Sequence, residues 1–124
     1  QDDDHLTFTC SANKKCLVEY HIFCTNANNS EIKFQVVAVG ATTVRAAGTG
    51  AVFDFSYTIN QASGAIRTYE TNGATQEHGF MRISAFVDAG SADRTVVLQW
   101  AQQVATAKNT TVQAGSWLNY IQVD

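Results

Sequence analysis

Apolar residues recur at every second position along almost the whole chain, and this alternation limits the fold more than any other feature of the sequence. Leu6, Phe8 and Cys10 alternate with polar neighbours, then Cys16, Val18, Tyr20, Ile22 and Cys24, then Ile32, Phe34, Val36 and Ala38. Phe53, Phe55, Tyr57 and Ile59 continue the pattern, as do Val96, Leu98 and Trp100. A period of two places alternate side chains on opposite faces of a strand, whereas a helix needs a period of 3.6. Between these runs lie clusters of Ser, Asn, Asp and Gly, among them Ser11–Lys15, Asn26–Ser30, Asn60–Gly64, Asn72-Gly73 and Asp88–Asp93. The chain has no proline, so these residues must make the turns. Gly40–Gly50 reads as a glycine-rich loop and Ile66–Thr71 as a short strand. Leu98–Lys108 is rich in Ala and Gln, but its β-branched start and Asn109-Thr110-Thr111 exit favour a strand running into a loop. The expectation is an all-β sandwich or barrel of about eight or nine antiparallel strands. Residues 1–4 are expected to be a frayed acidic start, and residues 5–124 one domain.

Three strands are apolar on both faces. Phe80–Val87 carries Met81, Ile83, Ala85 and Val87 on one side, with Phe80 and Phe86 on the other. Thr95–Ala101 sets Val96, Leu98 and Trp100 against Val97 and Gln99. The last strand sets Trp117, Asn119, Ile121 and Val123 against Leu118, Tyr120 and Gln122. A sheet that is apolar on both sides must be covered on both sides, and a neighbouring copy is one such cover. A tyrosine hydroxyl is easier to satisfy at a wet interface than in a core. Phe80, Phe86, Leu118 and Tyr120 are therefore the expected subunit interface, with Trp117, Ile121 and Val123 facing inward.

Charge narrows the partners. Charged residues make up 15% of the chain, against about 25% in an average protein, and the net charge is −3. Lys14-Lys15 is the one adjacent basic pair, so nucleic-acid binding through phosphate neutralisation is not expected. No apolar run approaches the roughly 20 residues of a helical membrane span.

No catalytic constellation is legible, and neither catalysis nor a cofactor is expected. His5, His21 and His78 do not form His-Glu-x-x-His, and Ser116 after Gly115 lacks the second glycine of a nucleophile elbow. Gly48-Thr49-Gly50 lacks the lysine of a phosphate loop. Asp54 with Glu70 or Glu77 has the composition of a glycosidase pair, as any β-protein does. Asp2-Asp3-Asp4-His5 offers oxygen ligands for a hard cation but reads better as a solvated tail. Asn28-Asn29-Ser30 and Asn109-Thr110-Thr111 match the glycosylation sequon. Trp100, Trp117 and Tyr120 can stack on sugars, but their alternation favours packing. The three cysteines, Cys10, Cys16 and Cys24, are expected to be buried thiols, with a Cys10–Cys16 bridge across the Ser11–Lys15 turn as the alternative.

Several segments resemble phage-encoded jelly-roll domains of the tumour-necrosis-factor and complement globular-head type. The resemblance lies in Leu6-Thr7-Phe8 with Ala12-Asn13-Lys14-Lys15 and Val18-Glu19-Tyr20-His21, and in His78-Gly79-Phe80. It continues through Val97–Gln102 and Thr110–Leu118, so that it spans about residues 5 to 123. Its residues are turn and core positions, with no catalytic signature. It implies a jelly roll, a homotrimer with residues 117–123 near the threefold axis, and a place in a virion. The implied role is a capsid decoration, or cement, protein bound to the major capsid protein or another virion protein. The alternative is a trimeric tail-fibre or spike tip that binds a receptor or carbohydrate. The sequence has neither the Gly-x-y repeat nor the heptads of a fibre stalk, which favours decoration. A secreted signalling module of the same fold is less favoured, because such modules usually use paired cysteines.

Overall fold

A computed structural model describes residues 2–26, 32–50, 55–57, 63–69, 77–102 and 110–124. Ten strands occupy them, and none of the described residues is helical. In chain order they are β1 (Asp2–Cys10), β2 (Lys15–Asn26), β3 (Ile32–Val37), β4 (Thr43–Gly50) and β5 (Phe55–Tyr57), then β6 (Ser63–Tyr69), β7 (Glu77–Asp88), β8 (Arg94–Gln102), β9 (Thr110–Val112) and β10 (Trp117–Val123). The all-β expectation holds, with one strand more than the alternation revealed. The addition is β4, in the segment expected to be a glycine-rich loop. Val44 and Ala46 point inward there and are buried, while Arg45 and Ala47 point out. The N-terminal stretch differs too: β1 begins at Asp2, which pairs with Gln99 of β8, so residues expected to fray belong to a strand.

All pairings are antiparallel and form two sheets. One runs β1-β8-β3-β6-β5. The other runs β10-β2-β7-β4, with β9 continuing the β10 edge along the far end of β2. The inward faces of both sheets feed one core. Leu6, Phe34, Val36, Val96 and Leu98 come from the first sheet, and Val18, Tyr20, Ile22, Met81, Ile83 and Val44 from the second. The period-two residues of β2 and β7 named above are the buried ones, because a strand in the middle of a sheet must bury one face against the other layer.

A disulfide joins the two sheets at one corner. Cys10 ends β1 and Cys16 lies at the start of β2, with Cα atoms 6.0 Å apart and both side chains fully buried. This corrects the expectation of three thiols. An odd cysteine count rules out complete pairing but permits one bridge, and here the turn brings the Cα atoms within disulfide reach. Cys24 remains as a buried free thiol. The turn is held independently. Asn13, at φ 61°, donates its N–H to Gly90 O at 2.6 Å, and Ala12 N–H reaches Asp93 Oδ1 at 2.8 Å. Ser11 N–H reaches Gln122 Oε1 at 2.9 Å, and Lys14 pairs with Asp124. The C-terminal strand is thereby tied to the corner that the disulfide closes.

Candidate interaction surface

Register decides which side chains share the outward face of the β10-β2-β7-β4 sheet. Ile121, Leu17, Phe86 and Arg45 form one row across the four strands. Asn119, Glu19, Ser84 and Ala47 form the next. Trp117, His21 and Arg82 form a third, and Phe23 pairs with Phe80 beyond it. Leu17, Phe23, Trp117, Ile121 and Val123 on this face are each 41–54% exposed, and Phe80 and Phe86 are half-buried. Isolated surface hydrophobes are ordinary, but here they gather into two apolar patches on one sheet face, Leu17, Phe86, Ile121 and Val123 on one side of the polar Asn119-Glu19-Ser84 row and Trp117, Phe23 and Phe80 on the other, and such patches mark a candidate interaction surface.

The middle row is made of short or polar side chains, and together with the Ile121-Leu17-Phe86-Arg45 row it lines a shallow groove. The groove has a volume of about 530 Å³ and is lined on this face by Leu17, Glu19, Arg45, Ala47, Ser84, Phe86, Asn119 and Ile121. Beside it, the Glu19 carboxylate accepts a hydrogen bond from the Arg82 guanidinium. That contact holds the Glu19 carboxyl below its ordinary range. His21 Nε2 lies 3.6 Å from the other Glu19 oxygen.

An aromatic belt crosses the same face. His21 stacks on Trp117 with ring centroids 3.9 Å apart and planes 8° from parallel. Phe80 follows at 6.0 Å from His21, and Phe23 at 5.2 Å from Phe80. Trp117 is set in place by the turn before it. Ser116 Oγ accepts the Phe23 N–H at 2.9 Å, Gln113 N–H donates to Phe23 O at 2.7 Å, and Gly115 adopts φ 95° to close the bend. The turn is thus anchored to the strand on which His21 sits.

The four residues expected to form one interface do not share a face. Phe80 and Phe86 project outward from β7. Leu118 and Tyr120 occupy the opposite side of β10. Leu118 packs against the core, and Tyr120 stacks on the buried Phe8 of β1 with centroids 4.2 Å apart. The faces of β10 are therefore reversed relative to expectation: Trp117, Ile121 and Val123 are the outward set. Both faces of β10 are apolar, and the hydroxyl of Tyr120 does not decide between them, because its ring stacks on Phe8 while the residue stays partly exposed. The tyrosine ring finds an aromatic partner at the core edge, whereas the tryptophan is held sideways by its neighbour on β2.

The remaining candidates gather into no further site among the described residues. Trp100 is partly buried against the core. Asp54, Glu70, Asn28 and Asn109 lie outside the described residues, as do the side chains of Asp2–Asp4, Glu77 and His78. Among the described residues no group of three or more His, Cys, Asp or Glu side chains is placed to hold a metal ion. Comparison with protein-family models, curated proteins and solved structures finds no match.

Proposed function

We propose that this chain is a structural virion protein that works as a homotrimer, assembled through the outward face of the β10-β2-β7-β4 sheet, and that it decorates and braces a capsid shell. The observation that carries the reading is the pair of exposed apolar patches on this face, on either side of the Asn119-Glu19-Ser84 row. Five of its large side chains remain about half exposed in the single chain. Full burial of one such side chain contributes roughly 1.5–3 kcal/mol, so covering the exposed halves is worth about 4–8 kcal/mol per protomer. That matches the low end of the roughly 4–15 kcal/mol that an association event costs in lost freedom. A second protein surface is broad enough to cover every member of the set, and identical copies supply one at no cost in specificity.

Two further observations support the virion assignment. The strand orders β1-β8-β3-β6 and β2-β7-β4 alternate successive strands between sheets, as a jelly roll does, although β5 pairs with β6 rather than β4. This agrees with the sequence resemblance to phage jelly-roll domains. The Cys10–Cys16 disulfide suits a protein that works outside the reducing cytosol, as virion surfaces and secreted modules alike do. Quantitative mass spectrometry of purified virions tests the role. A copy number matching the shell protein's lattice supports decoration. A few trimers per particle would move the protein to a fibre or spike tip, and its absence from virions would refute the assignment.

A further inference from the structure

One edge of the β10-β2-β7-β4 sheet lacks the features that keep an edge strand from pairing. We propose that β10 pairs edge to edge, antiparallel, with β10 of a second copy about a twofold axis centred on Tyr120. The site is the edge of the sheet, so the inference does not depend on the trimer proposed above, which uses the face.

A strand at the end of a sheet presents a row of free N–H and C=O groups, and proteins blunt it with charge, proline, a bulge or brevity. Among the described residues, β1 and β5 end one sheet, and β4 and β10 (continued by β9) end the other. β1 carries Asp2, Asp3 and Asp4 and shifts register between Asp2 and Thr7. β5 has three residues and shifts register between Phe55 and Tyr57. β4 carries the exposed Arg45, and Gly48 and Gly50 weaken its far end. β10 has none of these devices. Its seven residues, Trp117–Val123, pair with β2 one for one without a bulge, and none is charged or proline. All of them except Leu118 are exposed, including Tyr120 and Gln122 of the inward face, so the far side of the strand is open among the described residues.

A second copy is the occupant because β10 is complementary to itself. Full overlap of two antiparallel copies sets Tyr120 opposite Tyr120, Leu118 opposite Gln122, Asn119 opposite Ile121 and Trp117 opposite Val123. Aromatic–aromatic and aromatic–β-branched pairs are favourable cross-strand neighbours, and an uncharged strand meets itself without opposing like charges. The same register also unites the outward face. Within one chain the polar Asn119-Glu19-Ser84 row separates the Trp117 patch from the Ile121-Val123 patch. Across the twofold, Trp117 of each copy lies opposite Val123 and diagonal to Ile121 of the other, so the two kinds of patch join on both sides of the axis. The paired strip is about 23 Å long and about 4.8 Å wide, from roughly 3.3 Å per residue and one strand spacing. That is well below the roughly 1,200–2,000 Å² of a stable interface, so the pairing is weak in dilute solution and operates between crowded copies.

Disulfide cross-linking of the full chain at submillimolar concentration in a glutathione buffer reads the register. Directly opposed residues have Cα atoms about 4.5–5.5 Å apart, within disulfide reach. The two copies of residue 122 are offset by four positions, about 13 Å along the strands. Tyr120→Cys should therefore link to itself at least tenfold faster than Gln122→Cys on non-reducing gels, with circular dichroism to show that both fold. In an equal mixture, Asn119→Cys and Ile121→Cys should link mainly to each other, as read by mass. That pair leaves the Phe8–Tyr120 stack intact and decides the matter if Tyr120→Cys does not fold. Equal rates at 120 and 122 with no preference in the mixture overturn the pairing. No linked chains at all also overturn it, in favour of a strand from another protein. Register-specific linking in a chain that sediments as a monomer at micromolar concentration supports the edge site and refutes the face-mediated trimer.

Discussion

Aspartate substitutions at Ile121 and Tyr120, neighbours on one strand, separate folding from assembly. Tyr120 is 38% exposed, and its buried part lies on Phe8. Losing that burial costs about 1–2 kcal/mol. Losing the aromatic pair costs about 0.5–1.5 kcal/mol more. Tyr120→Asp should therefore destabilise the isolated chain by about 2–3 kcal/mol. Ile121 is 54% exposed on the opposite face, so Ile121→Asp forfeits only about 1 kcal/mol of burial. Urea unfolding followed by tryptophan fluorescence measures both, at a protein concentration low enough that assembly adds nothing by mass action. With a slope of about 1–3 kcal/mol/M, the Tyr120→Asp midpoint should fall by about 1–2 M and that of Ile121→Asp by about 0.5 M. Sedimentation at higher concentration should then show Ile121→Asp as a folded monomer. The reasoning is refuted if Ile121→Asp is the less stable variant, or if it still forms trimers while Tyr120→Asp is folded and monomeric.

Four other outcomes follow from the core and the corner. Thiol titration without reductant should find one thiol after denaturation, Cys24, and three once a reductant is added; three without reductant would contradict the Cys10–Cys16 bridge. Native Cys24 should resist alkylation at pH 8, since burial pushes its thiol up to about 12, and rapid native labelling would show that its strand opens readily. Cys10→Ser with Cys16→Ser should lower stability by about 2 kcal/mol, the value for closing so short a loop in the unfolded chain, read as the shift in unfolding midpoint. The Tyr20 hydroxyl is buried without a hydrogen-bond partner among the described residues, so Tyr20→Phe should leave stability unchanged or raise it by about 1 kcal/mol; a loss of more than that would reveal a partner.

Much of the fold was legible because the alternation is unbroken where a strand lies mid-sheet. The inward sets of β2, β3 and β7 coincide with the buried residues, since a one-residue slip would turn each set to solvent. β4 escaped because Val44, Ala46 and Gly48 alternate with Arg45 and Ala47 in a register of small residues, which reads as a loop until β7 supplies its partner. Cys10 and Cys16 are set together by the turn between two sheets, a distance that spacing alone leaves open. The exposed face was foreshadowed by the doubly apolar strands. Its members were divided wrongly because β10 is apolar on both sides and the Phe8–Tyr120 contact is remote in sequence. The His21–Trp117 stack joins residues almost a hundred positions apart, and only the pairing of β2 with β10 brings them together.

Self-association through the β10-β2-β7-β4 face is tested most directly by the mass of the purified chain in solution. Sedimentation equilibrium at micromolar concentration and neutral pH should return three times the 13.5 kDa of one chain, whereas a well-folded particle with the mass of a single chain would contradict the account.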